Sequence, residues 1–348
     1  MGDLASAWQS AALVVVGASG VVGGTGRSGM ATWHSARLCS LAACPLLDWG
    51  ARWAVGGVEF YKLSWTREKM IRCHPELPPP LIWAELARAH SAAGAALAVW
   101  IGGRLTGAGW EIWWLLPMAV AFLLSAAGNA FNDAHDAAID AINRPQRPIP
   151  RGAATPAQAR WLAYGCAAVA FGLALPFGLI STVGTLLGIA LLFLYTTHLK
   201  SIPLLGNAVV GLLTGMALGY GGLLGGDVQP ILLPAATLGL LFGGREVLKT
   251  IHDLPGDRAN GLRTVATVAG TRLALLAATL CFLIALLLLI AWALLNPTGW
   301  LTLLLITLAS AFILIPLWVA PEDKRVVGWA LRWSKGLGLL LLVGFSVV

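Results

Sequence analysis

From residue 78 onward the chain alternates long apolar runs with short polar connections. The runs fall near 81–103, 110–131, 159–178, 180–197, 205–225, 231–249, 271–295, 298–319 and 328–347. Each is roughly 16 to 24 residues, about the length an α-helix needs to cross a bilayer. The pattern predicts an all-α membrane protein of nine transmembrane helices. Two divisions are weakly marked. The third and fourth runs are separated only around Pro176 and Gly178, and the first carries Glu85, Arg88 and His90 near its start.

Residues 1–75 break this pattern. They are mixed in composition, rich in Gly, Ser and Trp, and contain no convincing span. They are expected to be an N-terminal extension, disordered or added by the gene model, with Met30 or Met70 as alternative starts. Mass spectrometry of the mature N-terminus tests this. Residues 76–348 form the membrane domain. The run ALVVVGASGVVGG spaces Gly17, Gly20 and Gly23 like a strand entering the glycine turn of a dinucleotide site. That turn needs a helix next, further βα units and an acidic residue about 20 positions on. The GTGRSG that follows supplies no such pattern, so the match reads as chance. No basic residue precedes the apolar part, so a signal peptide does not fit either.

Composition excludes a soluble enzyme: 58% of residues are hydrophobic and 11% charged, against about 25% charged in soluble domains. The net charge of +7 reports orientation and anionic partners, lipid or substrate, and no nucleic-acid motif accompanies it. Connections after even-numbered spans hold all the Lys and Arg residues from Arg144 to Lys335, whereas those after odd-numbered spans hold only Arg104. By the positive-inside rule the even-numbered connections and the N-terminus face the cytoplasm. Of the five cysteines, Cys166 and Cys281 lie in apolar runs as small apolar side chains. Cys39, Cys44, Cys73 and His74 match no common zinc spacing.

The chemistry centres on Asn129 to Gly152, NAFNDAHDAAIDAINRPQRPIPRG. Asp133, Asp136 and Asp140 are spaced i, i+3, i+7, one face of a helix, with Asn132 beside them. Like charges on one stripe need a cation between them, and oxygen ligands suit Mg²⁺. The sixth run ends in GGREVLKTIHDLPGDRANGLRT, where Asp253 and Asp257 again share a helical face and Gly256 and Gly261 loosen the chain. The span count puts both clusters on the cytoplasmic side. Facing each other across a central cavity, they could hold Mg²⁺ bridging a diphosphate, so that the C–O bond of an allylic diphosphate breaks. Arg144, Arg147, Lys200, Lys249 and Arg258 are then available for the outer phosphate oxygens. The bland alternatives are a topology role for the arginines, snorkelling for Lys200, an interface anchor for Tyr195 and a helix cap for Asn207. A cation-coupled transporter would place its acids near the bilayer midplane, whereas these stand at helix ends beside basic loops.

At these residues the chain resembles the UbiA superfamily of intramembrane prenyltransferases. NDAHDAAID is similar to the family's first motif through Asn132, Asp133, Asp136 and Asp140, and NRPQRPIPRG to its following loop through Arg144 and Arg147. DLPGD supplies the second motif, and YTTHLKSIPLLGN places Tyr195, Lys200 and Asn207. The resemblance covers about 76–348. The run REVLKTIHDLPGDRANGLRT is most similar to the branch containing digeranylgeranylglyceryl phosphate synthase, with Thr250 and His252 at two positions usually acidic there. ELARAHS, with Arg88, departs from that branch's early motif. The resemblance implies Mg²⁺-dependent transfer of a polyprenyl group, geranylgeranyl by preference, from its diphosphate to a lipophilic acceptor. The acceptor implied is geranylgeranylglyceryl phosphate, whose phosphate Arg88 would hold. The alternative is an aromatic acceptor of the 4-hydroxybenzoate, homogentisate or naphthoate type, or chlorophyllide. The expected metal ligands are Asn132, Asp133, Asp136, Asp140, Asp253 and Asp257, and the expected location is the cell membrane.

Overall fold

The structure is a computed structural model that describes residues 79–346 and, before them, four strands. The chain divides into two compact units, Met1–Glu76 and Leu77–Val348.

In the first unit β1 (Leu13–Gly17), β2 (Gly20–Gly24), β3 (Trp49–Val55) and β4 (Val58–Leu63) form an antiparallel sheet in the order β2-β1-β4-β3. Val14, Val15 and Val16 are β-branched, which suits a strand. Gly17 pairs with Gly20, so β1 turns straight back into β2. The helix that a dinucleotide turn requires does not follow, and the glycine spacing is that of a hairpin. Met30, Met70, Cys39, Cys44, Cys73 and His74 lie outside the described residues.

The second unit is helical. Its helices are α1 (Pro79–Leu86), α2 (Ala89–Leu105), α3 (Leu115–His135), α4 (Ala137–Asn143), α5 (Pro156–Ala174) and α6 (Gly178–Thr197). There follow α7 (Leu205–Gly225), α8 (Leu232–Ala259), α9 (Val265–Leu295), α10 (Gly299–Val319) and α11 (Lys324–Ser346). Among the described residues seven segments are long and apolar enough to cross a membrane. One of them, Pro156–Thr197, contains both α5 and α6, which part at Gly178 with φ of +85°. The first expected span is instead two helices, broken at Arg88 in the left-handed region (φ 48°, ψ 56°), and α2 with 17 residues is not among the seven. Four basic residues counted with the connections lie in helices: Arg245 and Lys249 in α8, and Arg332 and Lys335 in α11. Gly270, φ +82°, interrupts α9 immediately before the expected span 271–295.

Between helices in lipid there is little hydrophobic drive, so close packing of small residues carries the association. Every buried residue of α5 is alanine (Ala159, Ala163, Ala167, Ala170, Ala174), and α3 presents Ala126, Ala127 and Ala130 in the same way. Where α2 crosses α7, a Cβ on Gly102 would lie 2.0 Å from the Leu218 carbonyl oxygen and one on Gly221 1.8 Å from that of Val99. Only glycine permits that approach. The outer faces stay apolar, with Leu287, Leu294, Leu301, Leu308, Ile315 and Val319 exposed. These helices identify a multi-pass membrane protein.

Candidate active site

The first acidic segment is not one continuous helix. α3 ends at His135, Asp136 takes φ −89° and ψ 12°, and α4 begins at Ala137. The i→i−4 bonds from Asp136 N to Asn132 O and from Asp140 N to Asp136 O, both 2.8 Å, persist across the joint. The expected single stripe is therefore divided. Asp136 and Asp140 line a cavity, while buried Asp133 is outside the lining, ion-paired to Arg88 and, at 3.1 Å, to the same Arg147 nitrogen that holds Asp140.

The second segment stays helical to Ala259. Pro255 interrupts the backbone ladder there, since proline brings no N–H and crowds the preceding turn. The side chain of Asn143, at the end of α4, fills the opening. Its Nδ2 donates to the Asp253 carbonyl (2.9 Å), and its Oδ1 accepts from the Gly256 N–H (3.0 Å). A Cβ on Gly256 would lie 2.3 Å from Asn143 Nδ2, so the glycine makes room for this clasp rather than loosening the chain. Gly261, φ +68°, is where the chain turns away. Arg144 joins the two segments again: its guanidinium lies 2.6 Å from Asp253 Oδ1 and 3.6 Å from Asp140 Oδ1.

Of the residues expected from the sequence, the cavity is lined by Asn132, Asp136, Asp140, Arg144, Arg147, Tyr195, Lys200, Asn207, Lys249, Asp253 and Asp257. Lys200, in the turn after α6, pairs with Asp136, and Arg147 pairs with Asp140. Asn207 is not a cap: Leu204 (φ 64°) holds the N-cap position of α7. Arg258 is exposed and outside the lining, and Arg88 reaches the site only through Asp133 and Asn129 (3.2 Å). Sequence reading assigned no role to Asn143 or to Glu246. Glu246 is buried in the lining between Arg245 (2.7 Å) and Lys249 (2.9 Å). Asn143 stood within the NRPQRPIPRG motif, and Glu246 within REVLK.

The cavity is thus walled by five carboxylates and four Lys or Arg side chains, mostly paired with one another. Burial pushes the Asp140 carboxyl above its ordinary range, with Arg147 pulling the other way. Among the described residues no three acidic, His or Cys side chains converge closely enough to share an ion. The donor set nevertheless suits a hard cation, being carboxylate and amide oxygen. Moreover, Asp136 Oδ1 is buried with no hydrogen-bond partner, a costly state for an acceptor unless something binds it. Between α7, α8 and α9 an apolar groove, lined by Leu212, Gly219, Ala236, Leu240 and Cys281 among others, meets the cavity at Asn207.

The model of the UbiA prenyltransferase family matches residues 91–336. Digeranylgeranylglyceryl phosphate synthase of Methanopyrus kandleri is 38% identical over 260 residues, covering 74% of this chain and 95% of that one. A solved digeranylgeranylglyceryl phosphate synthase structure superposes with a TM-score of 0.61 at 24% identity, over 77% of this chain and 97% of that one. A UbiA homologue from Archaeoglobus fulgidus bound to DMAPP and Mg²⁺ gives 0.59 at 16% identity, over 76% and 99%. These structural likenesses show the fold. With the family model spanning most of the membrane unit and a relative matched over nearly its whole length, the chain belongs to the UbiA prenyltransferase family.

Proposed function

We propose that the protein transfers a geranylgeranyl group from its diphosphate to geranylgeranylglyceryl phosphate, forming the second ether bond of an archaeal-type lipid. Nine crossings would place the cavity at the cytoplasmic face of the cell membrane. The observation that carries this reading is the meeting of both acidic segments in one cavity, fastened by Arg144 and Asn143. The relatives named as synthases of that lipid, and the homologue bound to DMAPP and Mg²⁺, support the same chemistry.

The residues divide the work as follows. Asn132, Asp136, Asp140, Asp253 and Asp257 supply the oxygens that would hold Mg²⁺. When bound, the metal neutralises the diphosphate and makes it a leaving group. Arg144, Arg147, Lys200 and Lys249 are the cations that the phosphate oxygens draw away from those carboxylates. The groove beyond Asn207 takes the prenyl tail, and its apolar wall keeps water from the allylic cation. The acceptor hydroxyl captures that cation at carbon, and its proton passes to a nearby base as the ether forms.

Purified protein given geranylgeranyl diphosphate and Mg²⁺ should convert geranylgeranylglyceryl phosphate, with the product identified by mass. Turnover of 4-hydroxybenzoate, homogentisate, a naphthoate or chlorophyllide in its place would move the chain to another branch of the family. Asp136→Asn and Asp257→Asn should each lower transfer by at least about a hundredfold, the order of losing a principal charge-stabilising group. Membrane insertion should be unchanged. Near-wild-type rates in both variants would refute the assignment of roles.

A further inference from the structure

Lys335 is a charged residue within a helix long and apolar enough to cross a membrane. It stands eleven residues after Lys324, the start of α11, or about 16 Å along the axis at 1.5 Å per residue. That is roughly half the thickness of a bilayer's hydrocarbon core. Intramembrane lysines are rare and normally paired. Among the described residues no carboxylate lies within salt-bridge distance of this one. Its amine instead meets His90 Nε2 of α2, 3.1 Å away, and both residues are exposed. α11 packs along α8, with Gly338 against Phe242 and Gly328 against His252, and these two contacts bracket Lys335 and Arg245. Arg88 is committed to Asp133, but Arg245 is not fully used. Its Nη1 reaches Glu246, whereas its Nε is buried with no partner.

A lysine without a carboxylate partner, a guanidinium with a spare buried donor and an imidazole thus stand where α11 packs against both α2 and α8. This is the complement of a tetrahedral anion, and cavity-lining Asn132, Asp136 and Asp140 are not part of it. Glu246 stands between Arg245 on this side and Lys249 on the cavity side. The two anion-attracting regions are therefore adjacent but separated by a carboxylate.

We propose that Lys335, Arg245 and His90 form a second anion subsite that holds the phosphate monoester of the lipid acceptor. This rests on the transfer reading above and names where its second substrate is gripped. A monoester carries about 1.5 to 2 negative charges near neutrality, which offsets the unmatched charge of the cluster better than the single charge of a phosphodiester does. The Glu246 carboxylate keeps that phosphate out of the diphosphate cavity. The arrangement orients the acceptor with its polar end on α11 and its free hydroxyl toward the reacting carbon.

The test measures binding rather than turnover, on full-length protein in zwitterionic nanodiscs with no donor. The probes are geranylgeranylglyceryl phosphate and the same lipid lacking phosphate. Wild type should bind the phosphate lipid at least about tenfold more tightly, the scale of one or two charge-assisted hydrogen bonds. Lys335→Gln should remove that preference without changing affinity for the alcohol, and Lys335→Arg should retain most of it. Arg245→Gln should act like Lys335→Gln, with its melting temperature checked because Glu246 loses a partner. A Lys335→Gln protein that keeps the preference, or a wild type with none, would overturn the subsite. Loss of the preference in phosphatidylglycerol discs would also overturn it, by assigning the cluster to bilayer headgroups. Protein that binds as expected but transfers nothing to the phosphate lipid would support the subsite and refute the transfer reading.

Discussion

Asn143 is the residue on which the site's geometry turns. One carboxamide satisfies a donor and an acceptor of α8 at the turn that Pro255 disrupts, and so ties the second acidic segment to the first. Asn143→Ala would strip both bonds at a cost of roughly 2 kcal/mol, at about 1 kcal/mol each. It is expected to lower transfer at least tenfold at saturating Mg²⁺, while Asn143→Asp, which keeps only the acceptor, falls in between. Rates of the three proteins measured side by side decide this. The acids themselves were legible in the sequence because carboxylates in an apolar chain stand out. Asn143 was not, because an amide that bonds backbone across more than a hundred residues leaves no local pattern. Asp133 stands outside the cavity lining for a related reason: the backbone turns at Asp136, and Asp133 is held by Arg88 and by the Arg147 nitrogen that also holds Asp140.

At the scale of elements, the proposed path of the donor's tail runs between α7 and α8. Gly219 borders their apolar groove, and a Cβ there meets no atom within 4 Å. Gly219→Leu therefore fills the groove without disturbing the helix crossing. Its KM for geranylgeranyl diphosphate should rise at least fivefold relative to geranyl diphosphate, since each methylene denied apolar surroundings forfeits about 0.8 kcal/mol. An unchanged ratio would mean the tail lies elsewhere. Helix positions were readable from apolar run length, but helix ends were not. α8 continues past the expected boundary at residue 249 through Asp253 and Asp257, because charged side chains that bond one another inside the protein no longer mark where a helix leaves the bilayer. For the same reason the basic residues Arg245 and Lys335 looked like orientation signals, although they lie within helices.

For the whole molecule, the expected orientation is open to direct labelling. With the five native cysteines replaced, Glu322→Cys between α10 and α11 should react only from the cytoplasmic side. Asp227→Cys between α7 and α8 should react only from the opposite side. Both reacting from one face would break the alternation of crossings. The cavity's pairing has a consequence for how the protein loads. Asp136, Asp140 and Asp253 already have Lys or Arg partners, so the substrate-free protein can stand in a membrane without repulsion among its acids. A metal ion arriving alone must evict a lysine or arginine and leave it stranded, and pyrophosphate alone must strand a carboxylate. Arriving together, each takes what the other releases. Titration calorimetry should find Mg²⁺ and pyrophosphate each binding feebly by themselves and at least tenfold more tightly in company, so that the protein commits to its donor only as a charge-matched whole.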